Sequence, residues 1–333
     1  KMNRLPFSFI LGGAGFIGSN LCRKSSELHH DFLIGDFKKS KDFPESSHIL
    51  DIRKKKDLTK FLRGEVAINL AAVHRDDITN LEEYYSTNVQ GAKNLCQVCE
   101  EKGINKIIFT SSVAVYGFNN SEINENGKIN PFNEYGRTKA LAEDVYRSWR
   151  EKDPKNRSLI IVRPTVVFGE GNRGNVYNLL NQIHSGAFLM IGNGKNKKSM
   201  AYVENLSSFL LSCIFSKEKY AVYNYVDKPD LSMNELVTLV NQKLNNNPSV
   251  GFRIPKFLGI FSGYLADFIS KLGIKLPLSS IRVKKFCAST QYSSAKAVPE
   301  GFEAPYSLKE GLEKTIKAEF INPDPNRQIF FTE

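Results

Sequence analysis

Residues 7–21, FSFILGGAGFIGSNL, put a short apolar run directly before a glycine-rich turn and a helix-forming segment. Residues 7–11 predict a buried strand and residues 16–28 the helix that follows it. Gly12, Gly15 and Gly18 form a GxxGxxG between the two. Glycine permits a positive φ at the turn, and the missing side chains let backbone approach a pyrophosphate. The helix start, with Phe16 and Ile17 in its first turn, supplies free N–H groups and the positive end of the helix dipole. A glycine triplet alone is a weak signal; its place at a strand-to-helix turn strengthens it.

Working outward, short apolar runs at 32–36, 48–50, 66–70, 106–111 and 159–163 read as further strands. Helical patterns fall between them, at 54–63, 81–102 and 134–150. Strands alternating with crossover helices predict an α/β fold, a doubly wound parallel sheet covered on both faces. The alternation weakens after about residue 170. Helices at 174–186, 203–216 and 232–244 follow, mixed with short strands. This predicts a Rossmann dinucleotide-binding domain over 1–170. A smaller C-terminal substrate-binding lobe follows over 171–333, with some segments returning to the sheet.

Asp36 ends the second strand, about twenty residues after the glycines, where such a fold places a carboxylate on the ribose diol. That carboxylate repels a 2′-phosphate and so favours NAD. Lys38, Lys39 and Ser40 follow at once and keep NADP as an alternative. Asp51 and Ile52, after the third strand, are candidates to border the adenine.

In FNEYGRTKALAEDVY, residues 132–146, Tyr135 and Lys139 stand four apart on one helix face. A tyrosine is too weak an acid, at a pKa of about 10, to act as a base at neutral pH. A lysine cation beside it, and a positive nicotinamide, lower that value. Ser112, in TSSVAVYG at 110–117, follows a central strand and would bond the substrate oxygen.

The glycine motif, NLAA at 69–72, TSSVAVYG at 110–117 and Tyr135-x-x-x-Lys139 occur in this order and spacing. Together they resemble the extended short-chain dehydrogenase/reductases, in the nucleotide-sugar epimerase/dehydratase branch, over essentially residues 5–318. The resemblance implies a catalytic trio of Ser112, Tyr135 and Lys139, with Lys139 also holding the nicotinamide ribose. It implies cofactor contacts from Leu70, Ala71, Ala72 and Asn88, and a homodimer packed through helices 81–102 and 134–150. Related 4,6-dehydratases carry acids directly after the serine position, and 3,5-epimerase/reductases carry a cysteine. Val113 and Ala114 stand there and transfer no proton. What remains is C4 epimerisation or 4-keto reduction, and the lean of Asp36 towards NAD favours epimerisation; the resemblance implies a nucleotide sugar, UDP-hexose or UDP-N-acetylhexosamine, in surface-polysaccharide precursor synthesis. The runner-up is NAD(P)H-dependent reduction of a UDP-4-keto sugar. A non-catalytic NAD(P)-sensing regulator is a third reading, against which both Tyr135 and Lys139 are retained.

For the sugar diphosphate the resemblance points to Asn175 and Val176 at a helix start. Ile191 falls where a side chain packs on the base. Lys198 stands where the family usually has arginine, and a lysine is a point charge rather than a planar fork. Arg282 is the candidate second phosphate contact. His74 and Arg75, in AAVHRDDI, follow the fourth strand at the ligand-binding edge. No partner stands at metal-ligand spacing from His74, so no metal is expected.

The bulk numbers bound the rest. The 333 residues are 41% apolar and carry a net charge of +11. The basic residues are scattered, without the stripe or aromatic-basic motif of a nucleic-acid binder, so a diphosphate substrate is favoured over nucleic acid. The cysteines (Cys22, Cys96, Cys99, Cys213 and Cys287) form no zinc set. Cys96 and Cys99 read as a buried helical stripe. Free thiols without a signal peptide predict the cytoplasm. Residues 255–272, PKFLGIFSGYLADFISKL, are apolar with helical spacing. Core or subunit packing is the simpler reading, and a peripheral membrane contact the sharper one.

Overall fold

The apolar runs are strands because both of their faces are covered. β1 (Ser8–Leu11) and β4 (Val66–Asn69) are buried at every position, and so is β6 (Ser158–Pro164). Continuous Val, Ile and Leu, rather than alternation, is what a parallel sheet between helical layers requires. The computed structural model describes residues 6–74, 80–118, 121–272 and 279–332.

In chain order, β1 is followed by α1 (Phe16–Glu27), β2 (Phe32–Asp36), β3 (Ser47–Ile49), α2 (Lys55–Phe61) and β4. α3 (Glu82–Tyr84) passes through a π-helical segment, Tyr85–Gln90, into α4 (Gly91–Lys102). Then come β5 (Lys106–Thr110), a 3-10 turn (Val113–Tyr116), α5 (Glu134–Glu151) and β6. The later half holds β7 (Val166–Phe168), α6 (Asn175–His184), β8 (Met190–Ile191), β9 (Lys197–Tyr202) and α7 (Val203–Phe215). It continues with β10 (Tyr220–Tyr225), β11 (Asp227–Ser232), α8 (Met233–Asn245) and β12 (Arg253–Ile254). α9 (Lys256–Lys271), α10 (Ser280–Cys287) and α11 (Leu308–Ile316) complete the helices, and a second π-helical segment, Lys317–Ile321, prolongs the last.

The fold is a doubly wound α/β sandwich. Seven parallel strands lie in the order β10-β6-β5-β4-β1-β2-β3. The chain winds outward from β1 through β2 to β3, then crosses back to β4 and winds the other way. The reversal opens a crevice beyond the carboxyl ends of β1 and β4, where ligands of such folds bind. One face is covered by α2, α4 and α5, with Leu58, Leu95, Val98 and Trp149 in the core; Cys96 and Cys99 are buried there too. α1 and α7 cover the other face through Leu21, Phe209 and Leu210.

The later half does two things. β10 returns to the seven-stranded sheet as its outermost strand, beside β6. The remainder builds a smaller body around the three-stranded sheet β11-β9-β7 and the pair β12-β8. Its core joins Phe16 and Phe168 to Leu180, Tyr202, Leu236, Val237 and Leu312. Capping boxes, Ser232 with Glu235 and Ser307 with Glu310, fix the starts of α8 and α11.

Candidate active site

A cavity of about 620 Å³ opens at the crevice between the two bodies. That volume is in the range of small-molecule sites, roughly 300–1,000 Å³. The glycine turn forms its floor. Gly12 has φ +78°, and a Cβ there would stand 2.7 Å from the Ala71 nitrogen. A Cβ on Gly18 would stand 2.2 Å from the Gly12 carbonyl oxygen. So α1 is packed onto the turn more closely than any side chain allows. Gly15 is the helix N-cap and makes no side-chain cap, which leaves the first N–H groups of α1 for an anion. Asp36 closes the turn from β2: the Ala14 N–H donates to its Oδ2 at 3.0 Å. Burial pushes the Asp36 carboxyl above its ordinary value, against the pull of the Ala14, Phe37 and Lys38 N–H groups.

The cradle of absent Cβ atoms, the free helix start and the carboxylate at the end of β2 fit a dinucleotide. Gly12, Gly15, Phe16, Ile17, Gly18 and Asp36 all line the cavity, with Ile52, Leu70, Ala71 and Ala72 beside them. Asp51 and Asn88 do not. The Asp51 carboxylate is held in a fork by Arg53, at 2.8–3.1 Å. Asn88 works one step back: its amide grips both backbone groups of Val73, and donates to Thr138 Oγ1, each at 3.0 Å. Val73 in turn lines the cavity. The π-helical segment carries Asn88, in line with the use of such bulges near functional sites.

At the inner end stand Ser112, Tyr135 and Lys139. Their meeting is set by close backbone packing. Asn133 caps α5 by accepting the Gly136 N–H at 2.9 Å. A Cβ on Gly136 would come within 2.4 Å of the Ala114 carbonyl oxygen. The first turn of α5 therefore rests on the turn that follows Ser112. Ser112 caps that turn, its Oγ accepting the Ala114 N–H at 3.1 Å, so its O–H remains to donate elsewhere.

Lys139 is buried and donates from Nζ to the Thr110 carbonyl at 2.8 Å. Nζ stands 4.8 Å from the Phe109 ring centre and 5.9 Å from that of Tyr135. Burial lowers its pKa to about 7, with the Glu143 carboxylate pulling it back up. Glu143 is one turn along α5 and escaped the sequence reading. It accepts from Ser111 Oγ (2.6 Å), Arg163 (2.6 and 2.8 Å) and Arg147 (2.6 Å). Arg163 also donates to the Tyr116 hydroxyl at 2.6 Å, which donates to Asn224 Oδ1 at 2.7 Å. This buried chain ties α5 to β5, β6 and β10 directly behind the trio.

The sugar end is arranged differently from the sequence expectation. Asn175 lines the cavity at the start of α6, while its neighbour Val176 is buried in the core of the smaller body. His74 lines the cavity; Arg75 lies outside the described residues. Lys198 does not reach it. Its Nζ donates to the Lys285 and Ala288 carbonyls at 2.9 and 2.5 Å, and so ties down the end of α10. Burial lowers its pKa to about 8. Ile191 packs under α9, and Arg282 is on the outer side of α10. Among the described residues, Lys285 lines the cavity at this end, three residues after Arg282 and 4.7 Å above the Phe132 ring. Thr290, Tyr292 and Thr332 join it. None of these follows from the sequence, because each depends on how α10 and the chain after Asp324 are seated. Among the described residues, no group of three or more His, Cys, Asp and Glu side chains is placed to hold a metal.

Comparisons with known proteins agree with this geometry. Residues 8–224 match the model of the NAD dependent epimerase/dehydratase family. The chain is 46% identical over 330 residues to the N-acetyl-alpha-D-glucosaminyl-diphospho-ditrans,octacis-undecaprenol 4-epimerase of Escherichia coli O157:H7. That match covers 97% of this chain and 98% of the relative. It is 26% identical over 333 residues to the UDP-glucose 4-epimerase of Vibrio cholerae, covering 95% and 96%. The fold matches the crystal structure of UDP-N-acetylglucosamine 4-epimerase from Bacillus cereus with a TM-score of 0.74 and 17% identity, over 97% of this chain and 99% of that one. With the glycine turn, the carboxylate at the end of β2 and the Ser-Tyr-Lys trio in one cavity, the chain belongs to the NAD dependent epimerase/dehydratase family.

Proposed function

We propose that the chain is an NAD-dependent 4-epimerase of an N-acetylhexosamine linked by a diphosphate to its carrier. The observation that carries this is the 46% identity to an epimerase of that kind over 97% of the chain, joined to an intact trio at the inner end of the cavity. The relatives differ in the carrier, undecaprenol in one and UDP in the other. UDP is the carrier expected from the sequence, and both share the diphosphate. Residues 1–170 hold the cofactor and 171–333 supply most of the wall facing the sugar diphosphate. The reading includes a cytoplasmic location and a homodimer through 81–102 and 134–150, both expectations from the sequence; sedimentation equilibrium tests the dimer.

NAD, which the glycine turn and Asp36 would hold, would supply the hydride acceptor and donor for C4 of the sugar, so that hydrogen lost from one face could be restored to the other. The protein's own work is with protons and position. Tyr135 removes the C4 hydroxyl proton as the carbon is oxidised and gives it back on reduction. Ser112 donates its O–H to the C4 oxygen, held in place as its Oγ accepts the Ala114 N–H. Lys139, with a pKa of about 7, is divided between ammonium and amine near neutrality. Oxygen acceptors brought beside Nζ favour the ammonium, which in turn favours the Tyr135 phenolate. Val113 and Ala114 transfer no proton, so water is not eliminated from the keto sugar. Lys285 is the cation placed for the diphosphate.

The test is incubation of the purified protein, without added cofactor, with N-acetylglucosamine carried on UDP and on a polyprenyl diphosphate. Interconversion of gluco and galacto products is followed by mass spectrometry after acid release. Turnover without added NADH supports the epimerase; turnover only of a 4-keto sugar with stoichiometric NAD(P)H replaces it with the reductase. Tyr135→Phe should lower turnover by about 10²–10⁴-fold while retaining bound NAD.

A further inference from the structure

α9 has two unlike faces. Gly259, Gly263 and Ala266 are buried against the body of the protein. A Cβ on Gly259 would meet Ile191 at 2.4 Å, and one on Gly263 would meet the Ser280 backbone at 2.7 Å. The Ser280 N–H donates to the Asp267 carboxylate at 3.2–3.3 Å and so joins α9 to α10. The helix is therefore held along a stripe of small residues. Its other side carries Phe257, Phe261, Tyr264, Leu265, Phe268 and Leu272, each 51–69% exposed. At 3.6 residues per turn these positions fall within about 120° of arc, along a helix roughly 24 Å long. Single exposed apolar side chains need no explanation, but a contiguous face of six does.

Three further observations bear on what covers it. Residues 251–287 contain seven Lys and Arg against one acid, Asp267, and that acid is engaged by Ser280. Lys284 donates to the Tyr264 hydroxyl at 2.8 Å, which puts a cation at the border of the aromatic face. The face also leads to the active cavity. α10 packs beside α9, and its Lys285 lines the cavity over Phe132. Phe132 packs at a tilt on Phe118, ring centres 4.4 Å apart, and both rings are about half exposed at the cavity wall. No described helix is long and apolar enough to cross a membrane. An aromatic face rimmed by cations on such a helix suits the plane of an anionic bilayer surface.

We infer that α9 and α10 form an interfacial anchor, which lays the Phe257–Phe268 face into the headgroup layer of an anionic membrane and turns the cavity mouth towards it. A sugar whose diphosphate ends in a polyprenol, with its tail in that bilayer, then meets Lys285 at headgroup level. This last step rests on the 4-epimerase reading; the docking does not.

The experiment compares the full chain with the double variant Phe261→Ser, Phe268→Ser, whose positions are exposed and lie outside the active cavity. Co-sedimentation is measured with vesicles of phosphatidylethanolamine and phosphatidylglycerol, and with phosphatidylcholine alone. The unaltered protein should sediment with the anionic vesicles and much less with the neutral ones. The variant should bind at least about tenfold more weakly, with unchanged circular dichroism and NAD content. Epimerisation of the polyprenyl-linked sugar in vesicles should fall in step, while the same sugar on a short, water-soluble alkyl diphosphate is turned over equally by both proteins. Equal vesicle binding by the two proteins overturns the anchor. So does a dimer of the unaltered protein that the variant breaks, without vesicle binding, since the face is then a subunit contact. If vesicles bind as expected and neither protein turns over any diphosphate-linked sugar, the anchor stands and the epimerase reading fails.

Discussion

Gly136→Ala tests whether close packing between α5 and the turn after Ser112 sets the catalytic geometry. The added Cβ would lie 2.4 Å from the Ala114 carbonyl oxygen and 3.0 Å from its carbon. The first contact must open by about 0.6–1.0 Å to reach a tolerated 3.0–3.4 Å. Both sides are backbone, so relief comes from moving the start of α5, and Tyr135 with it, away from Ser112. A displacement near 1 Å costs on the order of 10²-fold in rate, or about 2.7 kcal/mol. Stability should change less. Strain of about 1–3 kcal/mol is partly offset by roughly 1 kcal/mol of gained helix propensity. The expected variant is folded, retains NAD, and turns over about 100-fold more slowly. Stopped-flow measurement of cofactor reduction on mixing with substrate isolates the chemical step, and thermal melts monitor folding. A variant that melts like the parent and keeps its rate within twofold would refute the reasoning.

Three other perturbations follow from the same geometry. Asp36→Asn keeps an acceptor for the Ala14 N–H but loses the charge facing the ribose. NAD affinity should fall by about 10–150-fold (1.5–3 kcal/mol) and discrimination against NADP should shrink; unchanged calorimetric titrations would remove Asp36 from the ribose site. Lys139 titrates near pH 7 when folded, against about 10.4 unfolded. Between those values the unfolded chain holds the extra proton, so stability rises with pH. Lys139→Met should flatten that rise by up to about 1.4 kcal/mol per pH unit, and parallel stability curves for the two proteins would show that Lys139 stays charged. Glu143→Gln leaves Arg163 facing an uncharged partner in a buried setting; a loss of about 3–5 kcal/mol in denaturant titration is expected, and a loss below 1 would show the network to be dispensable.

The fold was legible because its signals are local. Short apolar runs mark β1, β2, β4, β5 and β6, which fall within two residues of the expected bounds. Tyr135 and Lys139 share a helix, so their spacing survives whatever the rest of the chain does. Phosphate-binding cations are another matter. Lys198 stands where the resemblance placed one, yet it is spent on the carbonyls of Lys285 and Ala288. Lys285 reaches the cavity from an α10 held at its start by Asp267 on α9 and at its end by Lys198. Asn88 aligned with the cofactor residues, but its side chain is bonded to the Val73 backbone and it is Val73 that lines the cavity. Thr332 comes into the site because Arg173 and Phe330 pair through their backbones, across more than 150 intervening positions.

The Glu143–Arg163 pair gives the enzyme a fixed frame of reference. Tyr135, Lys139 and Glu143 ride on one helix, and Glu143 is pinned to β5 and β6 by groups with almost no solvent around them. The proton-transfer apparatus is thus mounted on a helix tied into the buried sheet. Freedom to admit a bulky carrier, and to let a keto sugar turn over, must come from the opposite wall, where Lys285 stands on the short α10 and Tyr292 and Thr332 lie outside any helix or strand. A fluorophore on α10 should therefore register the catalytic cycle, while one on the outer face of α5 stays silent.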